Sequence, residues 1–161
     1  MMTLCCKLVS ALEGKTLATA ESITAGGIGA AVTQVPGSSK VYAGGIISYT
    51  DAVKHRQLGV PEQLLEQLGA VSAPVAEAMA QGVRLRLGAD IGLSVTGLAG
   101  PGGDSFGNPV GTVYIGCSFA DRTLSRTYSN RGDRDSIRSQ TIRAALELVL
   151  EGLEKDFPSG K

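Results

Sequence analysis

The stretch "ATAESITAGG" at residues 18–27 decides how the rest of the chain is read. Small and apolar residues run up to Glu21 and Ser22, and a glycine pair follows. Taken with its flanks, "KTLATAES" (15–22) is a short buried strand, handing over to a small-residue helix, "TAGGIGAAVTQV" (24–35), that ends before Pro36 and Gly37. Ser22 then sits at the carboxyl end of a strand. The helix start beyond it offers unpaired N–H groups and a positive dipole end, which suit an oxyanion or a phosphate. Two readings stay open at this level: Ser22 is a nucleophile, or Ser22 or Thr24 is an ordinary helix cap. The stretch is not the GxSxG elbow of α/β-hydrolases, because no glycine stands two residues before Ser22.

Outward from this turn, the pattern alternates between strands and helices. Residues 3–13 read as an N-terminal helix ended at Gly14, and "KVYAGGIISYT" (40–50) is β-rich. "DAVKHRQLGV" (51–60) opens with Asp51 as a cap, and "PEQLLEQLGAV" (61–71) is a short helix stopped by Gly69. A helix over 73–87 carries Val75, Met79, Val83 and Leu87 on one side, and "DIGLSVTG" (90–97) is a buried strand. After the glycine-rich loop 98–109, segments 110–120 and 122–130 form an antiparallel pair, and 131–156 holds a final amphipathic helix capped by Asp133. Strands alternating with helices, then a hairpin, predict an α/β protein. We expect a single three-layer α/β/α domain, residues 1–161, with a mixed, mostly parallel sheet.

Composition narrows the function classes. The 161 residues suffice for one well-buried core, and 22 glycines against seven aromatic side chains favour a layered α/β protein over a helix bundle. Zero formal net charge supplies no bulk basic field for nucleic acid or an anionic membrane. Cys5, Cys6 and Cys117 fit neither a zinc ligand set nor a CxxC pair, and read as reduced thiols. Lys7 interrupts the first apolar run and no basic region precedes it, so no leader is expected and a cytoplasmic location is.

A serine nucleophile needs a base. The only histidine, His55, lies in an expected surface helix beside Lys54 and Arg56, with no acidic partner evident in sequence. Of six lysines, Lys54 differs in following the β-rich segment closely, with Tyr49 five residues before it. Desolvation would make such a lysine a base, whereas a solvated lysine is the ordinary outcome. "SVTGLAGPGGD" (94–104) is either a ligand-approaching loop or a mere connection; it is neither a Walker A nor a Rossmann motif. Arg131, Arg134 and Arg138 crowd a helix start, where cations oppose the dipole, so they hold an anion or pair with Asp133 and Asp135.

In this order, "TAESITAGG…VPGSS", "GGIISYTDAVKHRQLGV", "GAVSAPVAEAMAQG", "SVTGLAGPGG", "PVGTVYIG" and "GDRDSIRSQ" resemble the CinA C-terminal domain family over about residues 5–152. The resemblance implies a serine amidohydrolase with a lysine base that converts nicotinamide mononucleotide (NMN) to nicotinic acid mononucleotide and ammonia. No metal or other cofactor is implied. It places the nucleophile on Ser22, the lysine on Lys54 and the tyrosine on Tyr49. Thr24, Ala25, Gly26, Thr96, Gly97, Arg134, Arg138 and Gln140 fall where the family surrounds its substrate. The family also suggests a homo-oligomer, and the chain looks like its stand-alone form. Two positions depart from the usual "ESCTGG": Ile23 replaces the cysteine, and Ala25 replaces the first glycine. A methyl group at residue 25 resists positive φ. The competing expectation is an inactive nucleotide-binding or competence-related interaction module of the same fold.

Overall fold

The computed structural model describes residues 1–155. Five strands, β1 (Leu17–Glu21), β2 (Tyr42–Ile47), β3 (Ile91–Gly97), β4 (Thr112–Ser118) and β5 (Thr123–Ser129), form one sheet in the order β2-β1-β3-β4-β5. β1 pairs in parallel with both β2 and β3, while β3–β4 and β4–β5 are antiparallel. The sheet is mixed, as expected. Four of its five strands point the same way, although only half of its pairings are parallel.

Six helices among the described residues cover the two faces: α1 (Met2–Ala11), α2 (Gly27–Thr33), α3 (Asp51–Leu58), α4 (Glu62–Leu68), α5 (Ala73–Arg86) and α6 (Arg134–Glu154). Leu8 and Leu12 from the α1 segment, Ile28 and Val32 of α2, and Leu146 and Val149 of α6 share one apolar cluster. Leu58, Leu65, Met79 and Val83, from α3, α4 and α5, form the other. β1 lies between the two: Leu17 belongs to the first cluster, and Ala18 and Ala20 to the second. All five β1 residues are buried, which is why this strand reads as a nearly continuous apolar run. α5 can lie close on the sheet because Gly92 of β3 has no side chain; a Cβ there would overlap the Ala80 carbonyl.

Two local expectations are corrected. The cap of α3 is Thr50, not Asp51; the Thr50 hydroxyl accepts the Val53 N–H at 3.4 Å, and Asp51 stands in the first turn. The helix expected from residue 24 starts at Gly27, after Ala25 and Gly26 take φ of 48° and 95°. Neither Ser22 nor Thr24 caps it: the N-cap is Gly26, with no side-chain cap bond. The capping of α6 by Asp133 is as expected, its carboxylate accepting the Ser136 N–H at 2.8 Å. The expected end of that helix at residue 156 lies outside the described residues.

Candidate active site

The chain runs from β1 out to β2 on one side, then crosses to β3 on the other. The direction of winding therefore reverses at β1, and open α/β sheets bind ligands outside the carboxyl ends of strands at such a point. Ser22 lies just beyond the carboxyl end of β1, Tyr49 beyond that of β2, and Thr96 and Gly97 close β3. A cavity of about 230 Å³ opens here, lined among others by Ser22, Ile23, Lys54, Thr96, Gly97 and Arg134.

The Lys54 side chain comes from the second turn of α3 and is 1% exposed. Its Nζ lies 3.1 Å from Ser22 Oγ, 2.9 Å from the Ser48 carbonyl and 3.3 Å from the Tyr49 carbonyl. As an ammonium it donates to all three. As a neutral amine it has two N–H groups for the carbonyls and a lone pair left for the Ser22 hydroxyl proton. Burial pushes the Lys54 ammonium below its ordinary value of 10.5, and the Asp51 carboxylate on the same helix acts the other way to a smaller extent. The arrangement thus favours the protonation state a base requires.

The turn after Ser22 is held from two sides. Glu21, 2% exposed, turns its carboxylate into the start of α2. One of its oxygens accepts from Thr24 Oγ1 (2.6 Å) and the Ile28 N–H (2.8 Å), and the other from the Gly29 N–H (3.1 Å). Those helix-terminal donors are occupied from within. From α6, Arg138 donates to the carbonyls of Ile23 (Nε, 3.2 Å) and Thr24 (Nη2, 3.0 Å). The sequence motif did not reveal the role of Glu21. An acidic residue at the end of a fully buried, mostly apolar strand was the available signal, since a carboxylate there needs several donors.

The substrate-contact candidates separate into two groups. Thr96, Gly97 and Arg134 line the cavity with Ser22, Tyr49 and Lys54. Thr24, Ala25, Gly26, Arg138 and Gln140 fall outside its lining. Thr24 is fully buried, Ala25 is exposed, and Gln140 bonds the Arg131 carbonyl (2.6 Å) and the Ser136 carbonyl (3.0 Å). The Thr96 hydroxyl already donates to the Ala70 carbonyl at 2.8 Å. Ile23 packs its side chain into the cluster beneath α1, α2 and α6.

Tyr49 meets Arg134 with its side chain and Lys54 with its backbone. Its phenol accepts from Arg134 Nη2 at 3.2 Å, and it is the backbone carbonyl that reaches Lys54. Arg134 also donates to the Gly100 carbonyl at 2.7 Å, joining the glycine-rich loop to the start of α6 across the cavity. His55 does not line this cavity; its Nδ1 is 2.8 Å from the Val60 carbonyl. It does have an acidic neighbour, Glu62, at 3.8 Å. Among the described residues no group of three His, Cys, Asp or Glu side chains is arranged to hold a metal ion, and no helix is long and apolar enough to cross a membrane.

Fold and site together define an open α/β protein with a buried serine–lysine pair at the carboxyl ends of its parallel strands. The chain belongs to the CinA C-terminal domain family, whose model matches residues 3–153. It is 47% identical over 133 residues to the nicotinamide-nucleotide amidohydrolase PncC of Pseudomonas putida, covering 83% of each chain. A CinA-like protein of Parasynechococcus marenigrum is 48% identical over 137 residues, 84% of this chain. This chain spans about a third of the length of such CinA-like relatives. The crystal structure of the competence damage-inducible protein A from Klebsiella pneumoniae superposes with a TM-score of 0.94 at 31% identity, covering 97% of this chain and 98% of that one. A competence/damage inducible protein from Agrobacterium tumefaciens gives 0.90 at 36% identity, covering 95% and 94%.

Proposed function

We propose that this protein is an amidohydrolase that converts NMN to nicotinic acid mononucleotide and ammonia, with Ser22 as nucleophile and Lys54 as base. The observation that carries the proposal is the 3.1 Å contact between Ser22 Oγ and a buried Lys54 Nζ. The activity named for the Pseudomonas putida relative supports the choice of substrate.

In the proposed reaction, neutral Lys54 takes the Ser22 hydroxyl proton as Oγ bonds to the carboxamide carbon, and the carbonyl electron pair moves onto oxygen. The carbonyl re-forms, the C–N bond breaks, and Lys54 returns the proton to the departing ammonia. Water, deprotonated by the same amine, then attacks the acyl-enzyme and releases the acid with Ser22 restored. The Ser48 and Tyr49 carbonyls keep the amine directed at Ser22 through both steps. Arg134 supplies positive charge at the cavity rim for the phosphate. The reading carries with it a homo-oligomer working in the cytoplasm.

The deciding experiment is ammonia release from NMN by the purified protein, run beside Ser22→Ala. Turnover by the parent chain and a loss of at least about 10³-fold in the variant, with unchanged circular dichroism, is expected. Equal turnover in both would overturn the assignment of Ser22. NMN binding without ammonia would favour the inactive module.

A further inference from the structure

In sequence, the arginines at the start of α6 either hold an anion or pair with Asp133 and Asp135. Arg134 makes no ion pair among the described residues, and the Asp133 carboxylate is taken by the Ser136 N–H. Two neutral acceptors hold its guanidinium instead: the Gly100 carbonyl at 2.7 Å and the Tyr49 phenol oxygen at 3.2 Å. Three separate segments meet there, namely the loop after β2, the loop after β3 and the first residue of α6. Tyr49, Gly100 and Arg134 all line the cavity that holds Ser22. A full positive charge is thus fixed at the cavity with no counter-charge in contact. Only two of its five N–H donors are engaged, and the phenol, having accepted from Arg134, keeps its own O–H to donate.

The family resemblance assigned Tyr49 to the reaction itself. Yet Ser22 Oγ and Lys54 Nζ already meet at 3.1 Å, so no third group is needed to pass a proton between them. The Tyr49 side chain is 58% exposed, and the bond to Arg134 is what fixes its phenol.

We infer that the Tyr49–Arg134 pair selects for a phosphate monoester on the substrate: the phenol holds the guanidinium in place, and the remaining N–H groups and the phenol O–H take the phosphate oxygens. The inference rests on the hydrolysis of NMN proposed above and deepens it. It moves Tyr49 from proton transfer to substrate selection, and it makes the enzyme tell a nucleotide from the corresponding nucleoside. Phosphate oxygens only accept, which matches a site offering donors alone, and the planar fork of arginine can meet two of them at once.

The test compares the parent chain with Tyr49→Phe, Arg134→Lys and Arg134→Met on two carboxamides that differ only in the phosphate, NMN and nicotinamide riboside. Both side chains are exposed, so none of these substitutions disturbs the core. The parent should prefer NMN in kcat/KM by at least about 10-fold. Arg134→Met should lose that preference through a rise of roughly 10–100-fold in KM for NMN, with kcat within about 3-fold and nicotinamide riboside unaffected. Tyr49→Phe should raise KM for NMN by about 3–10-fold and leave nicotinamide riboside unchanged. Arg134→Lys keeps the charge but not the fork, and should fall between the parent and Arg134→Met. A second measurement needs no turnover: line broadening of ribose 5-phosphate in phosphorus NMR as each protein is added. Broadening by the parent that weakens in Tyr49→Phe and is lost in Arg134→Met supports the inference.

Equal kcat/KM of the parent for the two carboxamides would overturn the inference and leave the amidohydrolase assignment standing. A fall in kcat in Tyr49→Phe that is the same for both substrates would overturn it too, and return the phenol to proton transfer. So would a rise in KM of equal size for both, which would make the pair a wall of the cavity and no more. If the parent hydrolyses neither compound, the substrate assignment fails and the phosphorus series decides. Equal broadening by all four proteins, or none by the parent, then overturns the inference, and the graded loss described above supports it.

Discussion

Lys54 Nζ lies 3.1 Å from Ser22 Oγ across 32 residues of chain, and both side chains are buried. A lysine held this way meets two carbonyls and a hydroxyl but no carboxylate in direct contact among the described residues. Its charge is therefore poorly compensated, and burial holds its pKa below the ordinary 10.5.

The first prediction concerns pH. Because burial lowers the folded-state pKa of Lys54 below 10.5, kcat/KM for NMN should rise with pH through that lowered value and then level off. A guanidinium in place of the Lys54 amine cannot deprotonate, so Lys54→Arg should stay inactive throughout. The stability sign follows from the same shift. Between the folded and unfolded values the unfolded chain binds the extra proton, so stability rises with pH across that window. Below it the cost of burying the charge is fully present. Lys54→Met removes this cost, so its advantage in Tm over the parent chain should be largest at low pH and shrink as pH approaches 10.5.

Ala25 is the one non-glycine residue with positive φ among those described, at 48°. The left-handed conformation costs an L-residue about 1–2 kcal/mol, and glycine gives back about 0.5–1 kcal/mol through its freer unfolded chain. Ala25→Gly should therefore stabilise the protein by about 0.5–1 kcal/mol, a rise in Tm of roughly 1–4 °C. Since Ala25 lies outside the cavity, KM for NMN should not change. A fall in Tm would show that the turn is not strained.

Glu21 accepts from Thr24, Ile28 and Gly29 while almost fully buried. Glu21→Gln keeps the shape but turns one acceptor into a donor facing donors. Losing one or two bonds to a charged group costs about 1.5–3 kcal/mol each. Thermal denaturation should show a Tm lower by about 5–10 °C, with activity reduced because the turn carrying Ser22 loses its anchor.

Tyr49→Phe separates the phenol from the backbone carbonyl. The carbonyl that holds Lys54 is retained, and the phenol's partner is Arg134. The variant should keep kcat within about 10-fold, far from the loss general base removal produces, with the larger change in KM. A drop in kcat as deep as that of Lys54→Arg would instead assign the phenol a direct part in proton transfer.

The strand–helix alternation was legible because buried parallel strands are continuous apolar runs, as in β1 and β3, whose residues are almost all buried. Helix α5 was legible for the complementary reason, one apolar side repeating at helical spacing. The start of α2 was not. Ser22 and Thr24 are ordinary capping types, but two positive φ values delay the helix, and a glutamate from the preceding strand does the capping. Propensity describes what a residue can do locally, whereas a carboxylate seven residues upstream of Ile28 acts through space.

For the site, local sequence left Ser22 open between nucleophile and cap and Lys54 open between base and solvated charge; the family resemblance raised both. What the sequence determined was the order of strands and helices, the family, and which residue types stand at strand ends. The tertiary structure decided which of them meet. Ser22 and Lys54 are brought together by parallel pairing of β1 with β2, which sets the start of α3 beside the end of β1. Arg138, 115 residues from Ile23, is brought to the opposite side of the same turn by the packing of α6. Burial, which lowers the pKa of Lys54, belongs to the assembled core and is not encoded in any short stretch of chain.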